Sequence, residues 1–153
     1  MLVLDLTTMG LGTCWVGSQQ PNVTISLTET ERIACTIVFG YTKQHKSLKE
    51  HMLHQLSHWR NKPIHELYTH ANNLPHWFLK GIKAVQKAPS SMNKQPVIFH
   101  YHKNSNVTAN VTTQDKQSGI DLGIAKAHFE LGAERGFWTW GENSVFKQGS
   151  DDE

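Results

Sequence analysis

Two short segments of the chain combine conformationally special residues with small polar side chains. The first, residues 10–17, reads GLGTCWVG, and the second, residues 88–96, reads APSSMNKQP. Glycine permits backbone angles that a side chain forbids, and it lets a ligand approach the main chain closely. Clustered N–H groups, hydroxyls and amides are typical of sites for a flat ligand with polar edges. The spacing alone is equally explained by a helix end before a buried strand and by a helix-to-strand connection.

The two segments resemble the signature phrases of the nitroreductase family. Residues 120–131, IDLGIAKAHFEL, are similar to a late helix of one subgroup. In most nitroreductases the APS phrase precedes the GLGT phrase, whereas here it follows. That order resembles members in which one chain holds two related halves, like a fused dimer. The resemblance covers nearly the whole chain, from residue 1 to about residue 143.

The resemblance implies a cytoplasmic flavoprotein, an FMN-dependent oxidoreductase that uses NADH or NADPH as co-substrate. Hydride would pass through the flavin to a nitro compound, a quinone or a similar small-molecule acceptor. No catalytic side chain is expected, because the cofactor carries the chemistry. The resemblance also implies two groups of FMN-binding residues: Leu11, Gly12 and Thr13, through their backbone, and Pro89, Ser90, Ser91 and Asn93.

The arginine-rich phrase with which the family binds the flavin phosphate has no counterpart in this sequence. Arg32, Arg60 and Arg135 are its arginines, and none lies in such a phrase. A phosphate dianion without bidentate arginine loses much of its binding energy. The resemblance therefore implies a fragment, truncated at its N-terminus. The expected partner is a homodimer mate or a complementing N-terminal chain, and the alternative to an enzyme is a non-catalytic remnant or half-subunit.

Three histidines could share one face of a helix predicted over residues 47–59, namely His51, His54 and His58. Such a set could bind zinc or nickel. However, no carboxylate or cysteine completes it, and histidine is abundant in this part of the chain. An exposed, histidine-rich helix face is the preferred interpretation, so no metal site is predicted.

Composition indicates a globular chain of 153 residues. Apolar residues make up 38% and charged residues 18%, and the formal net charge of +2 is too small to indicate nucleic-acid binding. Cys14 and Cys35 are too few for a disulfide framework and lack metal-ligand spacing. No apolar run is long enough to span a bilayer. Neither nucleic acid nor a membrane is therefore an expected partner.

The apolar pattern and the resemblance together predict an α+β fold, a nitroreductase-like layered α/β sandwich that is incomplete at the N-terminus. One domain is expected over residues 1–143, with a flexible acidic tail over residues 144–153. Helices are predicted over residues 1–9, 47–59, 75–87 and 120–135, and strands over residues 33–39, 97–102, 107–112 and 137–140.

Two details are predicted for the helix over residues 120–135. The spacing of Ser118 and Asp121 predicts a capping box at its start. Its buried face is expected at four apolar positions, Ile120, Ile124, Ala127 and Leu131.

Overall fold

A computed structural model describes residues 2–16, 26–42, 61–69, 72–141 and 143–149. The chain divides into two units, residues 1–59 and residues 60–153. The boundary between them falls inside the range expected to form one domain. Helices and antiparallel strands occur in both units, which confirms the predicted α+β class.

The first unit begins with a short helix that leads directly into a two-stranded antiparallel sheet. Helix α1 spans Leu2–Thr8, strand β1 spans Gly12–Val16 and strand β2 spans Thr36–Gly40. The two strands pair along their whole length, with Gly12 opposite Gly40. Strand β2 thus begins three residues later than the apolar run at residues 33–39 predicts.

The second unit packs two helices against a four-stranded antiparallel sheet. Helix α2 spans His76–Val85 and helix α3 spans Ser118–Ala133. The strands are β3 (Val97–Tyr101), β4 (Val107–Val111), β5 (Phe137–Trp138) and β6 (Val145–Lys147), in the sheet order β3-β4-β6-β5. Single-turn 3₁₀ helices occur at Ile64–Glu66 and Ser91–Asn93. The predicted hairpin is confirmed, because β3 and β4 are paired neighbours.

The core of the second unit is a cluster of phenylalanines between the helices and the sheet. The fully buried members are Phe78, Phe99, Phe129 and Phe146. The rings of Phe99 and Phe129 stack with their centroids 4.9 Å apart, and Phe146 meets Phe129 edge-on at 5.1 Å. Each buried ring contributes about 1.5–3 kcal/mol through the apolar area removed from water. This cluster fixes how α2 and α3 lie on the sheet.

Strand β6 corrects the expected start of the flexible tail at residue 144. Val145 and Phe146 pair with β4 and β5, and the Phe146 side chain is fully buried in the core. A strand of three residues between polar neighbours gives almost no periodic signal, which is why the pattern did not indicate it. Residues 150–153, the acidic end of the chain, lie outside the described residues.

Helix α3 is observed where a helix was predicted, but both details predicted for it are wrong. Its buried apolar positions are Ala125, Phe129 and Ala133, whereas Leu131 is exposed. The helix carries apolar residues on nearly every side, so the packing of Phe129 and the small residues selects the buried face. The capping box is absent, because the Ser118 hydroxyl oxygen lies 2.7 Å from Thr113 O, in the preceding loop.

The helix predicted over residues 47–59 lies outside the described residues, and so do His51, His54 and His58. Within the described ranges, no group of three or more histidine, cysteine or acidic side chains is arranged to hold a metal ion. No helix of the described part of the chain has the length and apolar character needed to cross a membrane.

Candidate functional site

The first predicted FMN-binding segment forms the transition from α1 to β1. The N–H of Gly10 donates to Thr7 O at 3.0 Å, and the N–H of Leu11 donates to Leu6 O at 3.1 Å. Gly10 has a φ of 79°. These features form a Schellman motif, whose left-handed position glycine adopts without strain. Gly10 therefore ends the helix, and the N–H of Leu11 is used within the protein.

Gly12 and Thr13 begin β1, opposite Gly40 and Phe39. Adjacent residues of an antiparallel strand direct their main-chain groups to opposite sides. One of these two residues therefore faces away from β2, and β1 has no second partner strand among the described residues. A Cβ atom on Gly12 would overlap the Thr42 side chain. A side chain at position 12 would therefore require the exposed Thr42 side chain to move.

The second predicted segment connects α2 to β3, and we call residues 88–96 the 88–96 loop. It brings together four of the predicted FMN-binding residues, Pro89, Ser90, Ser91 and Asn93. Three residues of the loop other than glycine have positive φ: Met92 at 53°, Asn93 at 49° and Gln95 at 45°. Left-handed backbone costs such residues about 1–2 kcal/mol each. The loop conformation therefore has to be held by contacts with its surroundings.

Gln95 holds the loop from inside the protein, where it is 6% exposed. Its side-chain Oε1 accepts a hydrogen bond from the Lys62 N–H at 2.6 Å, and its Nε2 donates to Gln86 O at 3.0 Å. Its backbone N–H donates to the Ser90 hydroxyl oxygen at 2.9 Å. Gln95 is therefore a structural residue of the loop, and its amide does not face a ligand.

Asp121 of helix α3 holds the loop from the other side. Its Oδ1 accepts a hydrogen bond from the Ser91 N–H at 2.9 Å, and the residue is 5% exposed. Burial raises the pKa of the Asp121 carboxyl above its ordinary value, although the hydrogen bond from Ser91 lowers it. The sequence pattern predicted that this side chain belongs to a capping box at the start of its own helix. The signal that could have identified it is a carboxylate among the apolar residues of that helix.

The main-chain donors in the centre of the loop are largely used internally. The N–H of Asn93 donates to Ser90 O at 3.0 Å and the N–H of Lys94 to Ser91 O at 3.1 Å. None of the described residues hydrogen-bonds the Ser91 hydroxyl. Pro89 and Met92 are exposed. The loop therefore presents a proline ring, a methionine and a hydroxyl to its surroundings on a backbone that is fixed from within.

A cavity of about 10 Å³ lies between the loop and helix α3, lined by Ser90, Gln95, Asp121 and Ala125 among others. This volume is enough for about one water molecule. It is far too small for a flavin ring. A ligand of this segment would therefore bind to the outer side of the loop.

Each of the two segments, taken by itself, suits the ring of a flavin better than its phosphate. The main-chain groups at the edge of β1, and separately the proline ring and hydroxyl of the 88–96 loop, are groups that can contact a flat ring with polar edges. Neither segment contains an arginine. Among the described residues, Arg32 lies in the first unit and Arg135 in the second. The lysine of the loop, Lys94, forms an ion pair with Asp115, with its Nζ 3.2 Å from Asp115 Oδ2.

A model of the protein family described as "Putative TM nitroreductase" matches residues 1–133. The match covers most of the chain, and the chain therefore belongs to this nitroreductase family. The resemblance that the sequence predicted is confirmed at the level of the family.

A solved structure shows the same fold. The crystal structure of a protein described as a putative nitroreductase, from Thermotoga maritima, superposes with a TM-score of 0.63 at 24% sequence identity. The match covers 95% of this chain and 58% of that chain, so this chain spans little more than half of that protein's length. No curated protein matches this chain. The predicted nitroreductase-like fold is confirmed.

Proposed function

We propose that this chain binds FMN and serves an oxidoreductase that transfers hydride from NADH or NADPH to a nitro compound, a quinone or a similar acceptor. Bound FMN would supply the hydride chemistry, which protein side chains do not provide. The observation that carries the proposal is the 88–96 loop, which Gln95 and Asp121 fix from within while its outer side stays exposed. Membership of the nitroreductase family supports it.

The roles of the chain are to bind and to orient. At the first segment, the main-chain N–H of β1 that faces away from β2, at Gly12 or Thr13, donates to the polar edge of the ring, where negative charge grows on reduction. Leu11 contributes its carbonyl and side chain, because its N–H is used in the helix end. No side chain of either segment acts as an acid or a base in this proposal.

At the second segment, Pro89 contacts the ring face and the Ser91 hydroxyl donates to a ring oxygen or nitrogen. The Ser90 hydroxyl accepts a bond from Gln95 and retains its own proton for the ligand. Asn93 lies in the same 3₁₀ turn as Ser91 and is the fourth residue of the loop that we assign to FMN binding. The loop is suited to this task because its shape does not depend on the ligand.

Titration of the flavin-free protein with FMN tests this assignment. We expect Ser91→Ala to weaken FMN binding about five- to tenfold, because it removes one hydrogen bond worth about 1 kcal/mol. Ser105→Ala is the matched control, since it removes an exposed hydroxyl from the turn between β3 and β4. Flavin fluorescence measures the affinity, and far-ultraviolet circular dichroism checks that both variants fold.

The assignment fails if Ser91→Ala binds FMN as tightly as the unaltered chain, or if neither binds FMN. Oxidation of NADH and of NADPH by the FMN-loaded protein, with a nitroaromatic compound and with a quinone, then tests the reaction. Absence of turnover with every pair would contradict the proposed enzyme and would leave a flavin-binding protein.

The lack of an arginine in either segment favours a second chain as the source of the phosphate contacts. We propose that a second copy or a complementing N-terminal chain supplies them. On this proposal, the monomer by itself binds riboflavin and FMN with nearly equal affinity, because only FMN carries the phosphate, and a preference for FMN appears only when the second copy or the N-terminal chain is bound. A preference for FMN of about a hundredfold or more in the monomer would show that this chain holds the phosphate by itself.

A further inference from the structure

Asp121 is a buried carboxylate whose hydrogen bond leaves its own helix. It lies in the first turn of α3, where a carboxylate would ordinarily accept N–H groups of that turn. Instead, its Oδ1 accepts from the N–H of Ser91, thirty positions away along the chain. The start of α3 is organised by Ser118 and Asp115, whose side-chain oxygens lie 2.9 Å apart. The Asp121 carboxylate therefore hydrogen-bonds the 88–96 loop and not its own helix.

The loop needs such a contact at this point. Ser91 directly precedes Met92 and Asn93, two of the three residues with positive φ. The contact between the loop and α3 includes the cavity of about 10 Å³, which Ser90 and Asp121 help to line. The hydrogen bond between Asp121 and Ser91 is a polar contact that holds the loop against α3 beside this cavity. Gln95 secures the other end of the loop, five positions from Ser90.

We infer that Asp121 is a positioning residue. Its carboxylate holds Ser91, and with it the 88–96 loop, in the ligand-binding conformation, and protonation of this carboxylate weakens the hydrogen bond. The inference rests on the proposed FMN function of the loop. A carboxylate accepts an N–H hydrogen bond about twice as strongly as a neutral group does. Protonation therefore weakens the contact without removing the side chain.

The charged groups around Asp121 act in opposite directions. Asp115, before α3, raises the pKa of Asp121, and Lys94, in the loop, lowers it. These two side chains also pair with each other at 3.2 Å. Burial has the largest influence and raises the pKa above the ordinary value of 3.8. Asp121 therefore gains its proton at a higher pH than an exposed aspartate.

The raised pKa of Asp121 gives folding stability and FMN affinity opposite dependences on pH. Because the pKa is higher in the folded than in the unfolded protein, protonation of Asp121 favours folding. The stabilisation is complete below the unfolded pKa and is lost as the pH rises through the folded pKa. The hold on Ser91 has the opposite dependence and weakens as the pH falls through the same range. A merely structural aspartate would not make FMN affinity fall while stability rises.

Two substitutions and one control test the inference in the full chain. Asp121→Leu removes the acceptor, and we expect FMN to bind about tenfold more weakly. Asp121→Asn keeps an oxygen for the Ser91 N–H and removes the titration. Because its amide is neutral, as the protonated carboxyl is, we expect it to bind FMN up to about threefold more weakly than the unaltered chain at neutral pH. Glu130→Leu is the matched control, because Glu130 of the same helix accepts a main-chain N–H from Trp138, at 3.3 Å.

The pH profile is the decisive measurement. As the pH falls and Asp121 gains its proton, the FMN affinity of the unaltered chain should fall toward that of Asp121→Asn, by up to about threefold, whereas Asp121→Asn lacks this loss. The comparison between the two proteins cancels the titration of the FMN phosphate itself. Equal profiles for the two, or equal loss of affinity in Asp121→Leu and Glu130→Leu, would overturn the inference.

Hydrogen exchange of the Ser91 amide, measured without flavin, separates the two possible failures. Faster exchange in Asp121→Leu than in Glu130→Leu is expected if Asp121 holds the loop. If the loop responds in this way but no variant binds FMN, the proposed function fails and the loop has a different ligand. If FMN binds and the Ser91 amide does not respond, the proposed function stands and the positioning role of Asp121 is wrong.

Discussion

Gln95 shows that a polar residue in a segment predicted to bind a ligand can have a structural role. Its side-chain amide connects the N–H of Lys62 with the carbonyl of Gln86, two points on different segments of the second unit. A shorter asparagine would not reach both, and an acid could not donate to the carbonyl. Glutamine at this position is thus explained by two part-buried main-chain groups that need hydrogen-bond partners, the N–H of Lys62 and the carbonyl of Gln86.

Replacement of Gln95 by leucine should destabilise the second unit by about 2 kcal/mol. The variant keeps the approximate volume and leaves the part-buried Lys62 N–H and Gln86 carbonyl without these partners, at a cost of about 1 kcal/mol for each, the low end for a buried group. Gln148→Leu is the control, because Gln148 is exposed. Urea denaturation followed by tryptophan fluorescence measures both, and equal midpoints would contradict this role of Gln95.

The two glycines of the first segment, Gly10 and Gly12, differ in how far their roles can be predicted from the sequence. Gly10 after an apolar stretch is a local signal for a helix end, and it was predicted from its position alone. The close contact at Gly12 comes from Thr42, which lies about thirty positions away, and no local pattern encodes it. Local backbone demands can thus be predicted from the sequence, whereas contacts between distant residues need the fold.

At the scale of elements, helices α2 and α3 approach closely because small residues line their contact. A Cβ atom on Gly132 would lie 2.5 Å from the Ala84 Cβ and 2.8 Å from Lys80 O. A Cβ atom on Gly81 would lie 2.6 Å from the Phe129 ring. All three distances are shorter than a Cβ contact allows. The glycines therefore set the spacing of the helices, and through it the height of α3 under the 88–96 loop.

Two glycine-to-alanine substitutions in α3 should have opposite effects on stability. Gly132→Ala inserts a methyl group into the helix contact, and we expect a loss of about 1–3 kcal/mol. Gly123→Ala meets no atom within 4 Å. It should instead gain about 0.5–1 kcal/mol, because alanine restricts the unfolded chain more than glycine does. Thermal unfolding distinguishes them, and a change of the same sign in both would refute this account of the contact.

The predictability of the elements follows their length and the contrast between their faces. The hairpin of β3 and β4 was predicted well because β4, VTANV, alternates apolar and polar residues, β3, VIFHY, is rich in residues that favour strands, and the polar residues 103–106 lie between them. Helix α3 was located, but its buried face was not, since apolar residues occur all round it. Strand β6 was missed because three residues give almost no periodic signal, and because its pairing with β4 and the contact of Phe146 with Phe129 join residues that lie further apart in the sequence.

At the scale of the molecule, the family was predictable before the fold because its signature phrases are local. Each phrase is a short run of characteristic residues, so a short stretch of sequence is enough to identify it, although the conformation of the 88–96 loop also depends on Lys62, Gln86 and Asp121. The division of the chain at residues 59 and 60 depends on contacts over long sequence distances. The aromatic core belongs to residues 60–153, and its members come from α2, α3 and three strands. No single segment of the sequence indicates that these rings meet.

The composition of this core predicts that residues 60–153 fold without the rest of the chain. Such a fragment should unfold cooperatively in urea, with a near-ultraviolet signal from Trp77 and Trp138, which pack against Phe146. Phe129→Ala should remove about 3–5 kcal/mol, most of the stability of a domain of this size. Phe137→Ala should change little, because this ring is 56% exposed. A gradual transition, or equal effects of the two substitutions, would mean that the phenylalanine cluster does not hold the unit together.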